Sequence, residues 1–376
     1  MNGRALVIGG GIAGVSAAYA LAPHFDVILL ERESTLAYHT TGRSAAQYIE
    51  NYGVPAVRAL TRASHGFLSD PPDDLADHPL LSPCAVMMIA RPDQTQQLEA
   101  ALIAEGGGAE MKRLEPKDAL ELCPILRPEY LGGALLEEDG ADIDVAALHQ
   151  AFVRGIRKHG GEIRTDAGVS SLEATTGGWR AASSGDVVEA DLVINAGGAW
   201  GDQIAGLAGI PPVGLVPKRR TAFMVTAPAG LEDSPMIVDI DEQFYFKRDG
   251  QQILCSPAEE VPSEPCDARP REIDIAIAID RINDATTLGI RSVKSSWTGL
   301  RTFVADQAPV VGEAPDHPGF FWLVGQGGTG IQTAASLGSV MAALVTGTRL
   351  PEGIGPEVID DISPHRLFRT PREATP

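Results

Sequence analysis

The sequence is poor in positive charge and has no long apolar run, and each shortage excludes a class of protein. Lysine and arginine number 30 against 50 aspartate and glutamate residues, so the net charge is −20. A chain this acidic repels phosphate backbones, and we expect no nucleic-acid partner. No stretch approaches the roughly 18 consecutive apolar residues of a membrane-spanning helix. We therefore expect no integral membrane association and a location in the cytoplasm.

Signatures of metal sites and of common nucleophiles are also missing. The four cysteines, Cys84, Cys123, Cys255 and Cys266, include no C-x-x-C pair, which argues against a zinc or iron–sulfur site. The histidines form no H-E-x-x-H pattern, and the chain has neither a G-x-S-x-G elbow nor a Walker A lysine. We expect no metal in this protein.

The start of the chain carries a complete strand–turn–helix–strand pattern. Arg4–Ile8 is a short apolar strand, Gly9–Gly14 is a glycine turn, Val15–Leu21 is a helix of small apolar residues, and Asp26–Leu30 is a second buried strand that ends at Glu31. The G-x-G-x-x-G spacing lets a pyrophosphate approach the helix N-terminus. A carboxylate at the end of the second strand accepts hydrogen bonds from ribose hydroxyls and repels a 2′-phosphate. The pattern predicts a dinucleotide site and disfavours NADP.

A second glycine turn, Gly325–Gly330, follows a predicted strand at 320–324 and is predicted to open an apolar helix that ends near Thr346. No acid-terminated strand comes after it, so it is not a second ribose site. We interpret it as a helix start aimed at another part of the same cofactor. A turn that only packs the helix is the alternative.

The segments between these elements differ in character and predict a second domain. Strands are predicted at 84–90, 133–136, 191–195, 217–225, 236–238 and 243–247. Helices are predicted at 93–105 with a glycine stop at 106–108, from Val145 with Asp144 as cap to a glycine stop at 160–161, and at 273–287 after Pro270. The fold class is α/β, or α+β overall, with a nucleotide-binding domain interrupted by another domain.

A few arginines and tyrosines lie in otherwise apolar segments. Arg219 and Arg220 lie in PKRRTAFMV, Tyr245 in DEQFYFK and Arg301 in WTGLRTF. Arginine binds a carboxylate with two hydrogen bonds, and a tyrosine hydroxyl adds a third. These residues are candidates for an anion site, and surface salt bridges are the alternative for any one arginine.

The segments GGGIAG, INAGGAWGD, GLRTFVADQAPVVGEAP and GFFWLVGQGGTGIQT resemble the flavin-dependent D-amino acid oxidase superfamily. Within it, HTTGRSAAQY, HPLLSP, GADID, PKRRTAF and DEQFYFK are similar to D-arginine dehydrogenase-like D-amino acid dehydrogenases. The resemblance implies non-covalent FAD in a discontinuous Rossmann-like domain (1–75, 143–213 and 300–376). It also implies a substrate domain with a mainly antiparallel sheet (76–142 and 214–299).

The resemblance also assigns cofactor residues along the chain. The predicted FAD contacts are Gly9, Gly11, Ala13, Gly14, Glu31, Arg32, Thr41, Gly42, Arg43, Ser44, Ala45, Ala46, Val169, Ala196, Gly197, Gly328, Thr329, Gly330, Ile331 and Gln332. Within this set it implies that Glu31 holds the adenosine ribose and that Val169 presents backbone to the adenine. The segment 328–332 is implied to contact the isoalloxazine.

For the substrate, the resemblance assigns Arg220 and Arg301 to the carboxylate, with Tyr52 and Tyr245 in the pocket and the Gly328 carbonyl as acceptor for the amine. Tyr52 is implied to lie on a lid over the site.

Two positions depart from the arginine-oxidising pattern, because Val86 replaces a glutamate and Gln47 replaces a histidine. Burying a cation without a partner costs several kcal/mol. We therefore expect neutral or apolar D-amino acids as substrates. The alternative is that Glu50 supplies the missing charge for a basic one.

The expected reaction is oxidative deamination of a D-amino acid to an imino acid and then a 2-oxo acid, by hydride transfer from Cα to flavin N5. The electrons are expected to pass to a quinone or another acceptor, with oxidase activity open. Oxidation of a secondary amine such as sarcosine or proline is a second hypothesis. A flavoprotein without turnover is a third.

Overall fold

The computed structural model describes residues 3–103 and 110–368. Within these ranges the helices are α1 (Ile12–Leu21), α2 (Pro55–Ser69), α3 (Thr95–Ile103), α4 (Pro116–Leu122), α5 (Val145–Lys158), α6 (Gly201–Leu207), α7 (Glu272–Ala285), α8 (Ala334–Thr346) and α9 (Pro356–Ile362). The strands are β1 (Arg4–Ile8), β2 (Asp26–Leu30), β3 (Gln47–Tyr48), β4 (Leu81–Pro83), β5 (Val86–Ala90), β6 (Met111–Leu114), β7 (Gly133–Glu137), β8 (Ala141–Ile143), β9 (Glu162–Arg164), β10 (Val169–Thr175), β11 (Gly178–Ser183), β12 (Asp186–Ala190), β13 (Leu192–Asn195), β14 (Val216–Thr226), β15 (Met236–Asp239), β16 (Tyr245–Asp249), β17 (Gln252–Ser256), β18 (Val261–Pro262), β19 (Ser295–Phe303), β20 (Val310–Glu313) and β21 (Phe320–Val324).

The first large sheet has the strand order β20-β21-β13-β1-β2-β9 and is parallel except for β20. Its central strands are apolar on both faces because both faces are covered. Helices α1, α5 and α8 pack on one face, and the small sheet β10-β11-β12 packs on the other. The predicted Rossmann-like α/β class is confirmed.

The glycine turn after β1 lies at the carboxyl edge of this sheet. Ile8 pairs with both Leu30 and Asn195, so the residues that follow these three strands lie side by side. Gly9 has a φ of +112°, and a Cβ at Gly14 would lie 1.8 Å from the Gly9 carbonyl oxygen. A side chain at Gly14 would push α1 away from the turn after β1, and one at Gly9 would collide with the Ala196 carbonyl.

The second large sheet has the order β18-β14-β17-β16-β15-β5-β7-β6, and β19 pairs with the other edge of β14. It is antiparallel except between β5 and β15. Helix α7 covers one face with Ala278, Ile282 and Ala285, which confirms a helix where one is predicted over 273–287. The face of this sheet opposite α7 can therefore line a cavity.

Two predicted helices differ in detail from the structure. The one at 93–105 is a 3-10 turn at Pro92–Gln94 followed by α3, and its expected glycine stop at 106–108 lies outside the described residues. The second glycine turn does not open a helix directly, because turns occupy residues 331–333 before α8 begins. By contrast, Asp144 caps α5 as predicted, accepting from the Ala147 amide at 2.8 Å.

Strand β19 runs through the predicted domain boundary at 299/300. It pairs with β14 over its full length, from Phe303 opposite Val216 to Ser295 opposite Met224. Its last residues therefore belong to the second sheet. In the described part of the chain, no helix has the length and apolarity needed to cross a membrane.

Candidate active site

A cavity of about 390 Å³ runs along the carboxyl edge of the parallel sheet and ends against the antiparallel one. The predicted cofactor residues that line it are Gly9, Gly11, Ala13, Glu31, Arg32, Thr41, Arg43, Ser44, Ala45, Val169, Ala196, Gly197, Gly328, Gly330 and Ile331. Residues separated by more than 300 positions in sequence therefore meet at one elongated space.

Five predicted cofactor residues lie behind the cavity wall or beside it. Gly14 packs against the Gly9 carbonyl, and the Gly42 amide donates to the Ala37 carbonyl at 2.9 Å. The Thr329 hydroxyl donates to the Gln326 carbonyl at 2.8 Å. The remaining two, Ala46 and Gln332, line the neighbouring pocket described below.

The Glu31 carboxylate defines one end of the cavity. It accepts the Gly10 amide at 2.6 Å and the Glu33 amide at 2.8 Å, so the backbone fixes its direction. The guanidinium of Arg32 stacks on the Trp200 ring at 4.5 Å from its centroid. This end of the cavity combines an oriented carboxylate with the flat stack of Arg32 on Trp200, which suits an adenosine group.

The middle of the cavity is the N-terminus of α1. The Thr41 hydroxyl accepts the Ile12 amide at 3.0 Å and so satisfies one free donor of that helix. Beside the glycine turn at 9–14, His149 Nε2 lies 3.0 Å from the Gly10 carbonyl oxygen. Burial lowers the pKa of His149, so the ring is held neutral as a donor to the glycine turn. The sequence analysis missed this histidine.

At the other end, strand register brings the candidate substrate residues onto one face of the antiparallel sheet. Arg301 on β19 pairs with Lys218 on β14, two residues before Arg220, so both arginines point to the same side. Arg220 lies opposite Gly299, which leaves room for its side chain. Arg220, Tyr245, Arg301 and Gly328 line both the cofactor cavity and the neighbouring pocket.

The two arginines make this end of the cavity strongly cationic. Burial lowers the pKa of Arg220, and the charge of Arg301 lowers it further. Arg220 Nη2 donates to Glu260 at 3.1 Å, whereas its Nε has no hydrogen-bond partner among the described atoms. Arg301 Nη1 donates to the Tyr52 hydroxyl at 3.4 Å. Two adjacent guanidinium groups with spare donors are suited to bind a carboxylate.

A pocket of about 230 Å³ continues from the arginines along the same sheet face. Its apolar lining includes Val86, Met88, Met111, Met236 and Val238. Strand pairing places these side chains next to one another, because Met236 lies opposite Val86 and Val86 lies opposite Glu137. Val86 therefore lies in the pocket wall, as the specificity prediction requires.

The other two predicted specificity residues are engaged elsewhere. Gln47 lines the pocket, but its amide nitrogen donates to the Cys84 carbonyl at 2.8 Å and its oxygen accepts from buried Lys247 at 3.3 Å. The carboxylate of Glu50 faces Arg62 at 3.8 Å. The carboxylates that do line the pocket are Glu137 and Glu242, and the sequence analysis missed both.

The cavity fits a flavin dinucleotide. It joins an oriented carboxylate, a glycine turn that lines the cavity at a helix N-terminus, and a glycine-lined wall at 327–331. Near that wall, Gln326 Nε2 is buried without a hydrogen-bond partner among the described atoms. In the same part of the chain, no cluster of three or more His, Cys, Asp or Glu side chains could hold a metal.

Comparisons with known proteins place these features in a family. A family model described as FAD dependent oxidoreductase matches residues 4–344. FAD-dependent oxidoreductase domain-containing protein 1 of Bos taurus is 26% identical over 401 residues, covering 90% of this chain and 80% of that protein. Mitochondrial sarcosine dehydrogenase of Mus musculus is 23% identical and covers 90% of this chain, which spans only 39% of that longer protein.

Among solved structures, L-proline dehydrogenase from P. horikoshii has the same fold. It superposes with a TM-score of 0.85 at 18% identity and covers 98% of both chains. With the family match over 341 of its residues, from 4 to 344, this chain belongs to the FAD dependent oxidoreductase family, and its cofactor is FAD.

Proposed function

We propose that this protein oxidises neutral D-amino acids to imino acids. The observation that carries the proposal is the pair Arg220 and Arg301, which lies between the cofactor cavity and an apolar pocket. An α-amino acid bound there would have its carboxylate on the guanidinium groups and its side chain among the methionines. The D configuration follows the resemblance to D-arginine dehydrogenase-like enzymes.

The chain's own residues bind and orient the substrate. Arg220 and Arg301 would hold the carboxylate, with hydroxyls from Tyr52 and Tyr245 beside it, and the Gly328 carbonyl would accept from the amine. FAD bound in the cavity supplies the two-electron acceptor for the reaction. Fixing the carboxylate at two points restricts the direction of the Cα–H bond, and such orientation contributes several kcal/mol to catalysis.

The reaction needs the substrate amine in its neutral form. Oxidation removes a hydride from Cα, for which FAD supplies the two-electron acceptor, and the proton lost from nitrogen passes to water. Water then hydrolyses the imino acid to a 2-oxo acid and ammonia. An ammonium group has no lone pair with which to assist the loss of hydride from Cα. The rate of oxidation should therefore rise with pH through an apparent pKa of the amine.

The apolar lining of the pocket favours neutral side chains. Val86 and the methionines offer no charge to a guanidinium or ammonium group, and Glu50 is directed to Arg62. Of the two carboxylates in the lining, Glu137 accepts hydrogen bonds from the segment 50–51 with both oxygens, and Glu242 is exposed to solvent. We therefore place basic D-amino acids second to apolar ones. We also propose dehydrogenase action in the cytoplasm, with a quinone or similar compound as electron acceptor.

Secondary amines are the second candidate class. The similarity to sarcosine dehydrogenase and the fold shared with L-proline dehydrogenase favour it. A carboxylate site of two arginines would serve either class, because both types of substrate carry an α-carboxylate.

Anaerobic mixing of the FAD-bound protein with a substrate panel tests the proposal. The panel contains D- and L-leucine, D-methionine, D-arginine, sarcosine and L-proline, and loss of the oxidised flavin band reports turnover. We expect the fastest reduction with D-leucine and D-methionine. Reduction by D-arginine first would refute the role given to Val86, and reduction by only sarcosine or proline would favour the second class.

A further inference from the structure

Glu137 is a buried carboxylate in the wall of the substrate pocket, and the proposed reaction gives it no role. It ends strand β7, where it pairs with Val86 on one side and Met111 on the other. Only 1% of its surface is exposed. A carboxylate at such a position is costly unless hydrogen bonds compensate for the lost water.

The compensating donors come from the segment 50–52, the lid that carries Tyr52. The Glu50 amide donates to Glu137 Oε1 at 2.8 Å, and Asn51 Nδ2 donates to Oε2 at 3.1 Å. Burial raises the pKa of Glu137, and the donors from the lid act in the opposite direction. Both carboxylate oxygens are therefore committed to one short segment.

The same segment is tied on its other side to the cofactor wall. The Ile49 amide donates to Gln332 Oε1 at 3.1 Å, and Gln332 Nε2 donates to the Thr61 hydroxyl at 2.9 Å. Glu137 thus holds the lid from the substrate sheet, and Gln332 holds it from the cofactor side. Tyr52 follows immediately and reaches Arg301.

We propose that Glu137 is a positioning residue that fixes the backbone at 50–51 and thereby places the Tyr52 hydroxyl on Arg301. Its effect on substrate binding rests on the proposed function, in which Arg301 binds the carboxylate. Glu137 acts through the lid and does not take part in proton or electron transfer. Its loss should weaken substrate binding more than it slows oxidation of bound substrate.

The test uses Glu137→Gln in the FAD-bound protein, with Glu138→Gln as the matched control. Glutamine keeps the volume but has one oxygen acceptor, so one of the two bonds to the lid is lost. Glu138, the next residue, is exposed and pairs with Lys112 at 2.5 Å. Hydrogen exchange of the lid amides and anaerobic titration with D-leucine are measured on both variants.

For Glu137→Gln we expect the hydrogen-exchange rate of the lid amides and the dissociation constant for D-leucine each to rise about tenfold. This is the effect of one lost charge-assisted hydrogen bond. The limiting rate of flavin reduction should stay within about twofold, because the bound substrate is still oriented by both arginines. Glu138→Gln should match the wild-type protein in all three measurements.

Asn51→Ala removes the lid side chain that donates to Glu137, and it provides a second test if Glu137→Gln folds poorly. In a double-mutant cycle the two changes should be less than additive. Unchanged lid exchange in Glu137→Gln, an equal change in Glu138→Gln, or full additivity with Asn51→Ala would overturn the proposal. If no amine reduces the flavin, the proposed function fails while the exchange measurement still decides the role of Glu137.

Discussion

Replacing Arg301 by lysine separates charge from geometry at the carboxylate site. Arg301 lies beside Arg220 on the same sheet face, and its Nη1 contacts the Tyr52 hydroxyl. Lysine keeps the positive charge but loses the planar fork, so one charge-assisted hydrogen bond to the substrate carboxylate is lost. Such a bond contributes about 1.5–3 kcal/mol, which corresponds to a roughly 10- to 150-fold weaker dissociation constant.

The assay is anaerobic reduction of the flavin by D-leucine at increasing concentration, which gives the dissociation constant and the limiting rate separately. Arg301→Met should weaken binding further, because it also removes the charge. Arg220 and Arg301 repel each other, whereas Tyr52, Tyr245, Glu242 and Glu260 around Arg301 outweigh its burial and raise its pKa. Because these effects oppose each other, the melting temperature should change little compared with substrate binding. Arg180→Lys, at an exposed pair with Glu189, is the control and should change nothing.

Unchanged affinity and unchanged reduction rate in Arg301→Met would refute the assignment of this site to the substrate carboxylate. A lower melting temperature together with normal binding would show that Arg301 has a structural role only.

Three further predictions follow from single contacts. Gly328→Ala places a Cβ about 2.8 Å from the Arg301 guanidinium, so substrate binding should weaken, measured by titration of the FAD-bound protein. Glu31→Ala removes the acceptor of the Gly10 amide and the expected ribose contact, so the FAD dissociation constant should rise at least tenfold in fluorescence titration. The pKa of His149 is lowered in the folded state, so the unfolded state binds more protons below about pH 6.5, and the free energy of unfolding should fall with acidification by up to about 1.4 kcal/mol per pH unit. Thermal unfolding from pH 7.5 down to about pH 5 should show this component in the wild-type protein and lose it in His149→Gln.

Each of these predictions has a clear contrary result. Normal substrate binding in Gly328→Ala would mean that Arg301 can move without loss. Normal FAD affinity in Glu31→Ala would remove Glu31 from the ribose site. Equal acid sensitivity of wild-type protein and His149→Gln would mean that other groups dominate the pH dependence.

The parts of the site that are local in sequence were predictable. The turn at 9–14 and the acid at Glu31 share one strand–turn–helix–strand unit, in which spacing alone dictates which groups meet. The cap at Asp144 is local for the same reason. These predictions depend on residues within one or two elements of each other.

The rest depends on pairings between distant strands. Glu137 enters the pocket wall because β7 lies between β5 and β6, and no periodicity within the sequence at 133–137 indicates those neighbours. Glu50 is a second example, because it was a candidate to supply charge to the pocket, whereas its carboxylate faces Arg62. Side-chain direction on a short irregular segment is set by tertiary contacts, which local patterns do not contain.

The most direct test of the proposed function compares D-leucine with D-leucinamide as reductants of the bound flavin under anaerobic conditions. The two differ in the group that Arg220 and Arg301 would bind. Because the amide also lowers the pKa of the amine, they are compared at equal concentrations of the neutral-amine form. We expect D-leucine to reduce the flavin, and D-leucinamide to require at least about 100-fold higher concentration, because two charge-assisted contacts are lost. Equal reduction by the acid and the amide, or none by D-leucine, would contradict a carboxylate-anchored D-amino acid site.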